Sequence, residues 1–271
     1  MRIKKTPQEI YAEYENGKTY KGNIGEKGLF ETVKQNENFY NGKQWEGVKA
    51  PNLDKPVFNI LKRVVSYFIA MMVSDDIAVN AEFFQPTEQD RITSEIISSS
   101  VEEVFEQAKV KTVYRDVIRN CVIDGDVALY HRFNPSIKTG RLVEGAIETE
   151  IIDNTNIYFG NPYSRDVQKQ PYIIVSQRLF IDQVKEMAEE NGISAEIIEE
   201  IQANADSEYH NEDKAENNLV TVLTKFWKED GVVHEIKCTE KCIIKEDTPT
   251  SYTLYPIAYM SWEHTKNSNR I

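Results

Sequence analysis

The chain has 271 residues, with 32 Lys and Arg against 44 Asp and Glu, for a formal net charge of −12. That balance argues against a protein gripping nucleic-acid phosphates over much of its surface, because such grips need clustered basic side chains. With 40% hydrophobic and 10% aromatic residues, it can bury one large core or two modest ones, unlike a disordered sequence. Three cysteines, Cys121, Cys238 and Cys242, are too few for a disulfide framework, and the polar N-terminus lacks an apolar signal core. We therefore expect reduced thiols inside a folded soluble protein. The most apolar segment, Val64 to Val73, is far shorter than the roughly 20 residues that span a bilayer, so no membrane partner is expected.

Residues 1–50 read as an arm that docks on the remainder. It contains a short helix, Glu31 to Asn38, and a turn, FYNGKQWEG, that exposes Phe39, Tyr40 and Trp45 unless something covers them. Residues 51–125 read as a helical region. After Pro51 and Pro56, the residues Val57, Ile60, Leu61, Val64, Phe68, Ile69 and Met72 recur at helical spacing. Val65, Tyr67, Met71 and Val73 fill the other side, which predicts a helix buried all round, by its own core or by a neighbouring subunit. A long helix starts at a cap formed by Thr87, Gln89 and Asp90, passes Ile92, Ile96 and Val104, and resumes after Lys109 through Val113, Val117 and Cys121.

Residues 126–271 read as an α+β region. Asp124-Gly125 is a turn leading into a strand from Asp126 to Phe133, followed by strands from Leu142 to Ile152, Ile157 to Phe159 and Tyr172 to Ser176. Two helices, Phe180 to Glu190 and Ser194 to Ala205, are joined by Asn191-Gly192. The polar segment from Asp206 to Asn218 reads as a solvated loop. Three strands then follow, Leu219 to Lys228, Val232 to Lys237 and Cys242 to Lys245, the first two linked by Glu229-Asp230-Gly231. The chain as a whole is expected to be α+β, with a helical first half followed by a mostly antiparallel sheet carrying two helices.

Motifs for catalysis are weak. His234, Cys238 and Cys242 are metal-capable residue types, but their spacing is not that of a zinc knuckle or ribbon. Asp124 and Asp126 could hold a metal or do acid–base work, and with His131 they make the alternative of a metal-dependent hydrolase or nuclease. As an Asp-Gly turn they read more simply as local backbone caps. Cys121 with His131 is a nucleophilic pair only on paper, since Cys121 falls on an apolar helix face. Phosphate-cradling glycine loops are absent. We expect no enzyme, no cofactor, and no catalytic or metal residues. Lys4-Lys5 and Lys62-Arg63 lack the aromatic interleaving of a single-strand binder. Glu186, Glu189, Glu190, Glu196, Glu199 and Glu200 form a solvated acidic face or a dock for a basic partner.

The order of segments carries more than any single motif. FYNGKQW, the helix NILKRVVSYFIAMM, the β-like IAVNAEFF, and the passage CVIDGDVALYHRF resemble the N-terminal half of tailed-bacteriophage portal proteins. Further on, IIDNTNIYFGNPYSRDVQKQPYIIVSQRLFIDQVKE and YPIAYMSWEHTKNS continue the likeness, which spans roughly residues 36 to 268. The resemblance implies a wing-like α+β part of a ring subunit, usually in twelve copies, at the portal vertex of the virion, assembled in the host cytoplasm. Double-stranded DNA would pass through the ring without sequence specificity. Its implied partners are the terminase large subunit, capsid and scaffold proteins, and the head-tail connector. It also implies that the chain is the front of a longer subunit whose stem and clip lie beyond it. The helix from Val57 to Val73 and the element from Phe39 to Trp45 would then lie in or beside subunit contacts. A different structural virion or connector protein is the nearest alternative.

Overall fold

The computed structural model describes residues 3–49, 53–74, 78–138, 140, 144–204 and 218–262. It is an α+β protein, with helices mainly in the N-terminal half and antiparallel sheets after them. The helices are α1 (Pro7–Gly22), α2 (Gly28–Tyr40), α3 (Ile60–Val73), α4 (Glu88–Gln107), α5 (Val110–Asp124), α6 (Ile181–Glu190) and α7 (Ala195–Glu199). The strands are β1 (Asp126–Asn134), β2 (Ala146–Asp153), β3 (Ile157–Phe159), β4 (Tyr172–Phe180), β5 (Leu219–Glu229), β6 (Val232–Cys238), β7 (Ile243–Pro249) and β8 (Ile257–Ser261). A five-stranded sheet has the order β3-β4-β5-β6-β7, and a three-stranded sheet the order β2-β1-β8. The chain divides into two compact units, one built from residues up to Gln35 and from Ile152 to Tyr259, the other from Asn36 to Ile151 with Met260 to Trp262.

The first unit is three layers deep. Side chains alternate across β5, so Leu223 and Trp227 face α1 while Val220 and Val222 face α6 and α7. On the α1 side, Ile10 and Tyr14 pack with Tyr158, Ile174, Leu223, Trp227, Ile236 and Cys238. On the other side, Val184, Ala188, Ile198 and Ile201 pack with Val220, Val222, Cys242 and Ile244. Both faces are covered, which is why β5 reads as a nearly continuous buried run. Hairpin β5–β6 turns on Asp230 and Gly231, both at positive φ (51° and 81°), the conformation that matches the twist of paired strands.

Helix α1 was not legible as a helix from the polar N-terminus. Thr6 caps it, its hydroxyl accepting from the Glu9 amide at 3.4 Å, and Pro7 occupies the first turn. Its buried residues are Ile10, Glu13, Tyr14, Lys18 and Lys21, a helical stripe in which three of five members are charged. The helix lies so close to the sheet that a Cβ on Gly17 would come within 2.6 Å of Tyr158 Cδ1. At the centre of this contact Lys225, fully buried on β5, places its Nζ 2.5 Å from Glu13 Oε2. It also donates to the Lys4 carbonyl at 2.9 Å and lies 4.7 Å from the Tyr172 ring centre. Burial pulls the Lys225 pKa down, against the opposing pull of Glu13.

In the second unit, α5 runs into β1 through Gly125, whose φ of 94° is closed to most side chains. Val117, Cys121 and Val127 form the small core there, joined by Val113, Leu129 and Ile151. Helix α4 begins in a reciprocal cap, Asp90 N–H donating to Thr87 Oγ1 at 3.3 Å and Thr87 N–H to Asp90 Oδ2 at 2.9 Å. Helix α3 is capped by Asn59, which accepts from the Lys62 amide at 3.2 Å and donates to the Tyr40 carbonyl at 3.0 Å.

Three sequence expectations need correction. Helix α3 is not buried by its own core: Ile69 alone is buried, while Ile60 and Tyr67 are 66% and 65% exposed. Residues 78–84 form no strand, and the Ala81 amide instead donates to Ser98 Oγ at 3.0 Å. Helix α7 is only five residues long, ending at Glu199. The segments 205–217 and 263–271, which contain most of the polar loop and the end of the YPIAYMSWEHTKNS stretch, lie outside the described residues.

Replacing Glu13 with Ala should strand the Lys225 ammonium in the interior and destabilise the fold by about 3–5 kcal/mol. The double variant Glu13→Leu with Lys225→Met should cost much less than the sum of the single changes. Urea unfolding midpoints of the four proteins of that cycle would measure this, and equal additive losses would contradict it.

Candidate functional site

The sequence candidates fall in separate places. His234 and Cys238 both lie on β6, but Cys238 belongs to the core beneath α1 and Cys242 to the core beneath α6 and α7. The H-x3-C-x3-C run is thus divided between two faces of one sheet. Asp124 and Asp126 are buried at the α5–β1 corner. Burial pushes the neighbouring Cys121 thiol up to about 11, and the negative charge of Asp126 adds to the rise. His131 stands four residues beyond Val127 on β1, roughly 13 Å along the strand, and its Nδ1 meets Thr149 Oγ1 at 3.0 Å. Burial also lowers the His131 pKa. The Asp124, Asp126 and Cys121 side chains therefore cluster at the start of β1 while His131 is held at its middle.

The basic pairs also have structural roles. Lys62 lies 5.5 Å from the Tyr40 ring centre and Arg119 5.0 Å from it. Arg119 pairs with Glu37 at 2.9 Å. A cleft of about 270 Å³ opens beside them, lined by Tyr40, Ser66, Ile69, Val73, Arg115 and Arg119 among others. Lys4 supports the Glu13–Lys225 pair through its carbonyl.

Lys5 belongs to a cluster that sequence reasoning missed. Its Nζ lies 2.7 Å from Asp247 Oδ2 and 3.1 Å from Glu229 Oε2, straddling the ends of β5 and β7. His234 Nδ1 meets Asp247 Oδ1 at 2.7 Å. Its ring stacks on Trp227 with centroids 5.4 Å apart. Among the described residues, Glu229, His234 and Asp247 are the group of three ligand-type side chains whose donor atoms converge. The two carboxylates are 18 positions apart in the chain, so only the sheet register brings them together.

The largest unexplained feature is apolar surface in the second unit. On α3, Ile60, Leu61, Val64, Tyr67, Phe68, Met71 and Met72 are exposed. No residue of α4 is buried, and Ile92, Ile96 and Ile97 are exposed along it. Phe58 and Phe84, flanking these helices, are 78% and 95% exposed. The acidic residues Glu186, Glu189, Glu190, Glu196 and Glu199 on α6 and α7, and Glu200 at the end of α7, are exposed in the first unit. No described helix is long and apolar enough to cross a membrane. Compared with protein-family models and with curated proteins, the chain matches none.

Two outcomes follow from this chemistry. Burial pushes the Cys238 thiol up to about 12 and the Cys121 thiol to about 11, so neither supplies thiolate near neutrality. Iodoacetamide at pH 8 should leave both unmodified in the folded protein and label both in urea, as peptide mass spectrometry would show. The clamp around Lys5 should also respond to pH. Hydrogen bonds from Lys5 and Trp227 lower the Glu229 pKa from its ordinary 4.5. Burial opposes the same change at Asp247, but bonds from Lys5 and His234 carry it below 3.8. The hydrogen bond to Asp247 leads in raising Lys5 above 10.5, despite an opposing burial effect. The carboxylate contribution is therefore complete above the ordinary carboxylate range and lost as pH falls through the lowered folded values. The Lys5 contribution is complete below 10.5 and lost as pH rises through its raised value. Amide exchange at Ile10, whose N–H donates to the Thr6 carbonyl at 3.0 Å, corrected for intrinsic rates, should accelerate in acid below about pH 4 while β5 stays protected.

Proposed function

We propose that this chain is a structural subunit of a ring-forming DNA conduit of the portal type, and not an enzyme. The observation that carries this reading is the uncovered apolar surface of α3 and α4. Contiguous exposed apolar patches of this kind mark association surfaces, and obligate subunit contacts are the most apolar of all interfaces. Helix α3 contains no acidic residue and buries only Ile69 in its own fold. Its remaining apolar side chains, with the exposed Phe39 and Trp45 upstream, fit the resemblance of segment order to portal wings.

A ring demands that one patch of a subunit meet a different patch of its neighbour, so closure rather than affinity sets the copy number. Twelve copies is the number that the resemblance implies. The partners and place that follow are the terminase large subunit, capsid and scaffold proteins, a head-tail connector, and the portal vertex of a virion. The net charge of −12 suits a conduit in which double-stranded DNA slides without being held, because firm phosphate contacts require clustered Lys and Arg. The second reading, a different virion or connector subunit, shares the association surface and differs in symmetry.

Native mass spectrometry and electron microscopy of the full-length subunit, with the stem that the portal resemblance implies, test this. Closed rings of about twelve subunits are expected, and Phe68→Glu or Tyr67→Glu should reduce them to monomers by placing a charge in an apolar contact. Symmetric rings of another, small size would favour the connector reading. A monomer at high protein concentration, or rings indifferent to both substitutions, would overturn the assignment of α3 to the subunit contact.

A further inference from the structure

The assembly reading leaves the Lys5 cluster unused. Glu229 closes β5, His234 lies on β6 and Asp247 on β7, so three consecutive hydrogen-bonded strands each deliver one donor. One imidazole nitrogen and two carboxylate oxygens lie within 4.8 Å of one another. Around a tetrahedral Zn2+ with bonds of about 2.0–2.2 Å, ligand atoms stand roughly 3.5 Å apart, so the cluster needs to contract by little more than about 1 Å.

Three further facts make this more than an acidic patch. The position already holds a cation, since the Lys5 ammonium sits on both carboxylates and 5.1 Å from the Trp227 ring centre. Two of the donors are oriented from behind. Trp227 Nε1–H donates to Glu229 Oε2 at 3.3 Å, and the His234 ring stacks on the fully buried Trp227. Such outer contacts fix the direction of ligand atoms. Lys5 itself is replaceable, being 40% exposed and lying just before the Thr6 cap of α1.

We infer that Glu229, His234 and Asp247 form a divalent-metal site, suited to Zn2+, in which the metal ion and the Lys5 ammonium compete for one place. Mixed imidazole and carboxylate donors favour Zn2+ over Mg2+ and Ca2+, which take all-oxygen shells. Three protein ligands leave room for water at the fourth position. The two cations cannot share so small a volume, so metal entry expels Lys5 and frees the residues before α1 from the edges of β5 and β7. The exchange is a property of the first unit alone and holds whatever the chain assembles into.

Zn2+ titration of the tag-free, chelator-stripped chain against a chromophoric competitor tests the site, with Co2+ absorption reporting the donor set. Lys5→Ala removes no donor and should bind Zn2+ about ten-fold more tightly, the equivalent of two partly exposed ion pairs. Asp247→Asn and His234→Gln should weaken binding by at least about ten-fold, with circular dichroism confirming that both remain folded. Mg2+ should not compete. Unchanged affinity in Lys5→Ala, or Zn2+ binding that persists undiminished in Asp247→Asn, would overturn the proposal. The second result would assign the metal to the other histidines of the chain.

Discussion

An ammonium group buried on the middle strand of the five-stranded sheet constrains everything built around it. Lys225 is fully buried, and an unpaired charge there would be expelled or neutralised. Glu13 supplies the countercharge, the Lys4 carbonyl a second acceptor and Tyr172 an aromatic face. Each comes from a different element, so the pair fixes the rotation of α1 as well as its distance. The close approach at Gly17 follows, because Glu13 can reach Lys225 only if the helix lies low on the sheet. Lys21 continues the pattern about two turns on, donating to the Asn154 carbonyl and lying 4.8 Å from the Tyr158 ring centre. Helix α1 is held by polar complementarity at least as much as by apolar area.

That device explains which parts of the fold could be read from the sequence. Local signals with one physical meaning were legible: the Thr87 cap, the break at Lys109, Gly125 between helix and strand, and the Asp230-Gly231 hairpin. The strands β3, β4 and β5 are legible from short runs rich in β-branched and aromatic residues, and β6 from its alternation after the Asp230-Gly231 turn. Helix α1 was hidden because Glu13, Lys18 and Lys21 occupy positions where periodicity looks for apolar residues. Helix α3 is legible from its spacing, and its all-round apolarity predicts a cover that its own chain does not supply, since composition records what a surface wants and not where the cover comes from. Val79 to Phe84 has strand-like composition, yet finds no ladder and satisfies an amide with a serine side chain instead.

The candidate sites divide along the same line. Residues close in sequence, such as Asp124 with Asp126 or Cys238 with Cys242, suggest a chemistry that burial at a corner or placement on opposite faces of the sheet does not support. The cluster that does assemble joins Lys5, Glu229, His234 and Asp247, positions set together only by the registers β5–β6 and β6–β7 and by the path of the chain before α1. No spacing rule reaches across 242 positions from Lys5 to Asp247. His234 and Cys238 share the α1-side face of the sheet, and Cys242 lies on the opposite face, so the run never converges on one point.

The two units also differ in how completely they satisfy themselves. The first buries apolar cores on both faces of its sheet and compensates its interior charges. The second caps α3 and α4 with Asn59 and Thr87, and still leaves Phe58, Ile60, Tyr67, Phe84 and Ile96 in solvent. Covering a large apolar side chain is worth about 1.5–3 kcal/mol, so several of them on neighbouring helices give a strong drive toward association. Against that drive stands a net charge of −12 per chain, which makes copies repel at long range until salt screens them within about 8–10 Å. Under the proposed association, contact-range attraction at the apolar helices works against longer-range repulsion from the net charge, a balance that favours a defined geometry over indiscriminate clumping.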